Sequence, residues 1–258
     1  MRPIEEIVTL SMDGDDKEIF YFLPYILQDF WEIGASPNII IDLIKKHIPD
    51  PTSLKILDLG CGKGAVSVLL SKELNCRCLG IDAIKEFIDE AKKKAIEYGV
   101  ENYCRFERGD IRIRIGELKD YDIIILGAIG PVFGDYFNTL TSLLRCLKSG
   151  GFILIDDGII EDDSSFYHPL MMKRKEVKAQ IERAGMRLID EIGITGEELK
   201  ESEELMESGL RKRCTELIER YPDKRNLFLN YIKKQEEESF ILKTKVTCST
   251  LVIKKLKN

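Results

Sequence analysis

Between Leu54 and Ile155, short apolar runs alternate with longer amphipathic stretches, and few folds satisfy that pattern. Leu54–Leu59, Arg77–Ile81, Tyr103–Glu107, Tyr121–Leu126 and Phe152–Ile155 read as strands. Ala65–Leu74, Ile84–Tyr98 and Phe133–Leu147 read as helices, the second closed by Gly99 and the third by Ser149-Gly150-Gly151. Strands that are apolar at nearly every position are buried on both faces, and parallel strands need a crossover helix between them. The alternation therefore predicts a doubly wound α/β fold, with helices on both faces of a mostly parallel sheet.

The flanks read differently. Residues 19–32 are aromatic-rich and interrupted by Pro24, which suits a helix or a pair of helical turns. Ser36-Pro37 then opens a helix that runs to His47. Downstream, Pro169–Ala184 is helical and Arg187–Ile192 a strand. Residues 197–238 carry 12 acidic and 9 basic side chains, with Met206, Leu210, Cys214, Leu217 and Tyr221 at helical spacing. One or two surface helices with a buried stripe fit this segment, and so does a substrate cap. Phe240–Leu256 alternates well enough for one or two strands. The expected organisation is a single domain over 1–258: a helical arm at 1–50, an α/β core at 51–195 and 239–258, and a charged helical insertion at 196–238.

Composition narrows the function classes. The net charge of −6, from 39 basic and 45 acidic residues, gives no broad footprint for nucleic acid. The longest uncharged run, Ile123–Gly134, has 12 residues. A membrane-spanning helix needs ~20, so no membrane association is expected. Met1–Glu18 is acidic and lacks a long apolar stretch, which predicts neither a secretory signal nor a transit peptide and places the protein in the cytoplasm. Seven cysteines without a CxxC pair, and two histidines outside any ligand-spaced cluster, predict reduced thiols and no metal site.

The sharpest local feature is Leu57-Asp58-Leu59-Gly60-Cys61-Gly62-Lys63-Gly64, which ends the first strand and opens the next helix. Glycines there permit positive φ and let a ligand approach the backbone. Ligands of open α/β sheets bind outside the carboxyl ends of the strands. A P-loop is excluded, because GxxxxGK[ST] is absent. Gly60, Gly62 and Ala65 alone still admit a dinucleotide, but Asp58 would repel a pyrophosphate and suits an ammonium group.

These residues resemble the class I S-adenosylmethionine-dependent methyltransferases. The glycine motif continues, in the family's order, with Gly80-Ile81-Asp82, Gly109-Asp110-Ile111, the Tyr121–Gly127 strand and Ser149-Gly150-Gly151. The resemblance covers residues 54–157 and is closest to the small-molecule-type domains. It implies a Rossmann-like, seven-stranded sheet with an antiparallel C-terminal strand, and S-adenosylmethionine as cofactor, leaving as S-adenosylhomocysteine. It also implies a cofactor-binding set of Asp58, Gly60, Cys61, Gly62, Asp82, Ala83, Asp110, Ile111, Gly127 and Ala128. Asp58 would receive the methionine ammonium, Gly60 and Gly62 would open the backbone, and Asp82 would accept from the ribose hydroxyls. Asp110 and the Ile111 N–H would read the adenine, Ala83 and Ile84 would pack on the nucleoside, and Gly127 and Ala128 would line the methionine side. Cys61 is a small filler with no activating base in view. Taken singly, Asp58, Asp82 and Asp110 also fit plain capping or turn roles.

The implied reaction is in-line methyl transfer to a small-molecule N, O or C acceptor, in which the protein mainly aligns the partners. The fourth strand ends Leu126-Gly127-Ala128-Ile129-Gly130-Pro131-Val132-Phe133 and not in the Asn/Asp-Pro-Pro-aromatic motif of amide- and base-methylating relatives. Tyr21, Tyr25, Trp31 and Phe133 are the expected substrate-pocket aromatics, with core packing of the arm as the equal alternative. Loops after parallel strands face the site, so a general base is sought among Asp156, Asp157, Glu161 and His168, with Asp157 first and His168 second. The same acidic run suits a cationic amine, a divalent metal or plain solvent. Two other functions stay open: a non-catalytic cofactor-binding or interaction module, and an NAD-type oxidoreductase. The acceptor and the oligomeric state are not fixed by the sequence.

Overall fold

Alternate residues of a strand face opposite sides of a sheet, and in this chain both sides are apolar. Ile56, Ile123, Ile125, Phe152 and Leu154 join one buried cluster, while Leu57, Ile124, Leu126, Ile153 and Ile155 join another. The computed structural model describes residues 2–256, so the expected domain limits at 1 and 258 lie outside the described residues. Among the described residues seven strands form one sheet: β1 (Lys55–Leu59), β2 (Arg77–Asp82), β3 (Cys104–Arg108), β4 (Tyr121–Gly127), β5 (Leu147–Ile159), β6 (Met186–Gly193) and β7 (Thr247–Lys255). Their order is β3-β2-β1-β4-β5-β7-β6, with only β7 antiparallel. This is the doubly wound sheet that the sequence predicts, including its antiparallel last strand.

The helices cover both faces. α3 (Pro37–His47), α4 (Ala65–Leu74) and α5 (Lys85–Glu97) bury Ile44, Val68 and Ile88 in the first cluster. α7 (Tyr136–Leu143) and α8 (Arg174–Arg183) bury Leu140 and Ile181 in the second. The single turn α6 (Ile111–Arg114) follows β3. Chain order reverses between β1 and its neighbour β4, so a crevice opens outside their carboxyl ends.

The chain divides into two compact units, residues 31–193 with 249–256, and residues 2–30 with 194–248. The first is the α/β unit. The second is helical: α1 (Ile4–Ser11), a 3-10 turn (Lys17–Phe22), α2 (Leu23–Ile26), α9 (Gly196–Arg220), a short 3-10 turn (Pro222–Lys224) and α10 (Arg225–Thr244). Inside it Phe228 is fully buried and meets the Phe22 ring edge-on, with ring centres 4.9 Å apart. Arg213 grips Asp29 through two nitrogens at 2.6 Å. Among the described residues no helix is long and apolar enough to cross a membrane.

Four boundaries differ from the sequence reading. Phe240–Leu256 is not all strand: α10 runs on to Thr244, because Phe228, Tyr231, Ile232 and Ser239 lie on one helical face, and only Thr247–Lys255 is extended. Ser149-Gly150-Gly151 lies inside β5 and does not precede it. Leu147 pairs with Tyr121 and Phe152 with Ile123, so the extra residues form a bulge, and a Cβ on Gly151 would sit 2.8 Å from the Asp122 carbonyl. The helix expected from Phe133 starts at Tyr136, where Asp135 caps it by accepting the Asn138 N–H. The helix expected from Pro169 starts at Arg174, after Ile160 and Lys173 form a bridge.

Candidate active site

The glycine turn leaves β1 and is tied to β2, since the N–H groups of Gly60 and Cys61 both donate to the Ile81 carbonyl. Its glycines do different work. Gly62 has φ +52°, and a Cβ there would meet nothing within 4 Å, so its backbone faces open space. Gly64 has φ +78°, and a Cβ there would press on Ala91 and the Phe106 ring at 2.8 and 2.9 Å, so it serves helix packing. Asp82, at the end of β2, spans the turn: one carboxylate oxygen accepts the Gly62 N–H at 3.0 Å and the other the Ile84 N–H at 2.8 Å. Asp58 is buried and accepts from the Ser67 hydroxyl at 2.7 Å. Burial pushes its pKa up to about 6, and Asp82 nearby adds to the rise. Burial raises Asp82 as well. Among the described residues no cation pairs with either carboxyl.

Cys61 is packed against the turn, and burial lifts its thiol well above the ordinary range, which fits a filler. Lys63, which the sequence reading passed over, is fully buried and pairs with Glu90 on α5 at 3.3 Å. Ala83 is partly exposed and its carbonyl accepts from Arg108; Ile84 and Ile111 are buried. Asp110 caps α6 by accepting the Arg112 N–H, and burial, its largest influence, is outweighed by the Arg112 guanidinium at 2.6 Å, which holds its pKa down. Gly127 and Ala128, at the end of β4, lie flat against Gly34 and Ala35. A Cβ on Gly127 would sit 2.8 Å from that of Ala35, and one on Gly34 would sit 2.6 Å from that of Ala128.

A second concavity opens beside this turn, between the β4–α7 connection and the end of β5. Ile129 joins the two, since it borders this pocket and its Cγ2 comes within 2.5 Å of where a Gly60 Cβ would be. The pocket holds about 50 Å³ and is walled by apolar groups, Phe133 and Met172 among them. Asp135, Asp156, Asp157, Tyr136 and Thr139 supply its polar side chains. The Tyr136 hydroxyl donates to one Asp157 oxygen at 2.8 Å, and the Gly158 N–H donates to the other at 2.8 Å. Burial pushes Asp157 up to about 6 despite those donors. Burial and the neighbouring Asp157 push Asp156 up to about 7. The Tyr136 hydroxyl, buried beside Asp157, is shifted well above its ordinary range.

Of the residues expected around a substrate, Asp157 and Phe133 share this pocket. His168 does not line it; its Nδ1 accepts the Leu170 N–H at 3.3 Å and its ring stacks on Phe166. Trp31 packs at 5.0 Å on Tyr98 and donates its indole N–H to the Lys63 carbonyl at 3.0 Å. Tyr21 and Tyr25 belong to the helical unit, where Tyr21 is exposed and Tyr25 donates to Glu216 at 2.6 Å. Tyr136 and Thr139 were not singled out by sequence reading. Their signal was weak but present: they are three apart, on one face of the helix that Asp135 caps.

Comparisons with known proteins identify the family and the fold. A family model described as a methyltransferase domain matches residues 51–213, more than half the chain. The chain belongs to this methyltransferase family. An uncharacterized methyltransferase of Bacillus subtilis is 33% identical over 109 residues, 42% of this chain and 42% of that protein. A demethylmenaquinone methyltransferase of Lactococcus lactis is 30% identical over 150 residues, 57% of this chain and 55% of that protein. This methyltransferase thus spans about half the length of the curated relatives it matches. Its fold matches a methyltransferase from Geobacter sulfurreducens, solved with S-adenosyl-L-homocysteine, at a TM-score of 0.72 and 17% identity over 90% of this chain and 97% of that one. A cyclopropane synthase from Mycobacterium tuberculosis matches at 0.73 and 14% identity, over 99% of each chain.

Proposed function

We propose that this methyltransferase transfers the methyl group of S-adenosylmethionine to a small molecule. The observation that carries the reading is the pair of carboxyls, buried Asp58 and half-buried Asp82, set around an open-faced glycine turn at the carboxyl ends of β1 and β2. Among the described residues neither pairs with a cation, which fits an ammonium group at Asp58 and hydroxyl donors at Asp82, whose carboxylate keeps acceptor capacity. Gly60 and Gly62 offer backbone to the amino-acid end, with Cys61 as filler between them. Ala83 and Ile84 would carry the nucleoside. The Ile111 N–H and the Asp110 carboxylate, fixed by Arg112, would read the adenine edge. Gly127 and Ala128 would line the methionine side.

S-adenosylmethionine supplies an activated methyl group on a sulfonium sulfur. The chain's own task is to hold the acceptor in line, exclude water and accept a proton when the acceptor carries one. Asp157 suits the last role, since a value of about 6 leaves it ionised at neutral pH. The Tyr136 hydroxyl and the Gly158 N–H fix its two oxygens. His168 lies off this pocket and is left as the second base only for an acceptor that reaches the 161–173 loop.

Calorimetric titration with S-adenosylmethionine, S-adenosylhomocysteine and NADH tests the reading. Micromolar binding of the first two, about −8 kcal/mol, with none of NADH, is expected. A folded protein that binds neither sulfur nucleoside overturns it, and one that binds NADH instead points to an oxidoreductase.

A further inference from the structure

The pocket beside Ile129 has hydrogen-bonding capacity that the protein itself does not use. Thr139 is 9% exposed and lines it, and among the described residues nothing hydrogen-bonds its hydroxyl. Asp156 lines it too, and among the described residues no donor reaches its carboxyl. Thr139 is buried and Asp156 half-buried, and both keep hydrogen-bonding capacity that opens into this one cavity, where a partner from outside can take it up. Every lining charge is negative: Asp135, Asp156 and Asp157 contribute, and among the described residues no lysine, arginine or histidine borders the space. Asp135 already accepts the Asn138 N–H, and Asp157 is held by Tyr136 and Gly158. The unspent acceptors are therefore Asp156 and Thr139. The remaining wall is apolar, so an anion is disfavoured and a neutral alcohol leaves Asp156 without a counter-charge.

From this geometry we infer that the pocket takes the nitrogen end of the methyl acceptor and that the acceptor is a small aliphatic amine, bound as its cation to Asp156 with the Thr139 hydroxyl as second partner. The inference rests on the function proposed above and names its substrate class. The cavity of about 50 Å³ sets the scale. At ~10–15 Å³ for each water-sized group, it admits an ammonium and a few carbons. Ile129 lies between this pocket and Gly60, so a nitrogen here is one side chain away from the glycine turn. An amine bound as its cation must lose a proton before it can attack a methyl group, and Asp157 is the carboxylate next to Asp156 that can take it.

Binding of propylammonium, propanol and propionate to the full chain, followed by calorimetry or NMR with and without S-adenosylhomocysteine, tests this. Propylammonium is expected to bind and the other two are not. Asp156→Asn is expected to weaken it by about ten- to hundredfold, the range for a charge-assisted hydrogen bond, and Thr139→Val by several-fold. Neither substitution should change the affinity for S-adenosylhomocysteine, which also reports that the variant is folded. Equal binding of propanol and propylammonium, or propylammonium binding indifferent to both substitutions, overturns the amine inference. A chain that binds S-adenosylhomocysteine but not propylammonium sinks only this inference. One that binds propylammonium but not S-adenosylhomocysteine sinks the cofactor reading and leaves the pocket's preference standing.

Discussion

Asp82 ties β2 to the glycine turn through the Gly62 N–H. Asp82→Ala is expected to lower affinity for S-adenosylhomocysteine by about ten- to hundredfold, read by calorimetry, and unchanged affinity would remove Asp82 from the site. Three carboxyls drawn partly or wholly out of water also predict a pH response. Asp156 sits at about 7 and Asp58 and Asp157 at about 6, all above the ordinary 3.8. The folded chain then binds more protons than the unfolded one between about pH 4 and 7, so these groups subtract stability as pH rises through that window. Asp156→Asn is expected to raise the melting midpoint at pH 8 by about 2–4 °C, the effect of ~1 kcal/mol in a chain of this size, and to leave it unmoved at pH 4. A variant that melts with the parent at pH 8 would contradict this. Asp58 and Asp82 stood out in the sequence because they flank a glycine motif. Thr139 did not, because a threonine in a helix says nothing about which neighbours fail to reach it.

At the scale of elements, the glycine turn separates binding from packing. Gly64→Ala adds a left-handed strain of ~1–2 kcal/mol to a clash with Ala91 and Phe106, and overpacking costs ~1–3 kcal/mol. It is expected to destabilise by about 2–5 kcal/mol in urea titration. Gly62→Ala meets no neighbour, so it costs only the strain, ~1–2 kcal/mol, yet its methyl group stands where a ligand would approach. Its expected signature is weakened S-adenosylhomocysteine binding with a small stability loss. The reverse pattern for the two glycines would exchange their roles. Strand β4 was legible as a nearly continuous apolar run and β1 and β2 as short apolar runs with charged residues at few positions, whereas β3, Cys104-Arg105-Phe106-Glu107-Arg108, alternates apolar and charged residues. The start of α10's last turns was not, since Phe240-Ile241-Leu242 reads the same in a strand and in a helix, and only the buried stripe from Phe228 to Ser239 decides.

At the scale of the whole molecule, the helical unit brings together segments from both ends of the chain, residues 2–30 and 194–248. Phe228 is its fully buried anchor, packed on Phe22. Phe228→Ala is expected to cost about 3–5 kcal/mol. Hydrogen exchange should then quicken first in α9 and α10 while β1 and β4 keep their protection, as local opening predicts. Uniform acceleration across both units would show that they unfold as one.

Residue order by itself determined the doubly wound sheet, because short apolar runs and a 3.6-residue helical period leave different marks in a linear pattern. It also determined the glycine turn with its two acids, because motif and spacing are local. Only the tertiary structure decided which polar groups lack partners. The Asp156 carboxyl and the Thr139 hydroxyl line one pocket because α7 packs against β5 in the same buried cluster. That is a long-range fact of packing, and no local sequence pattern encodes it.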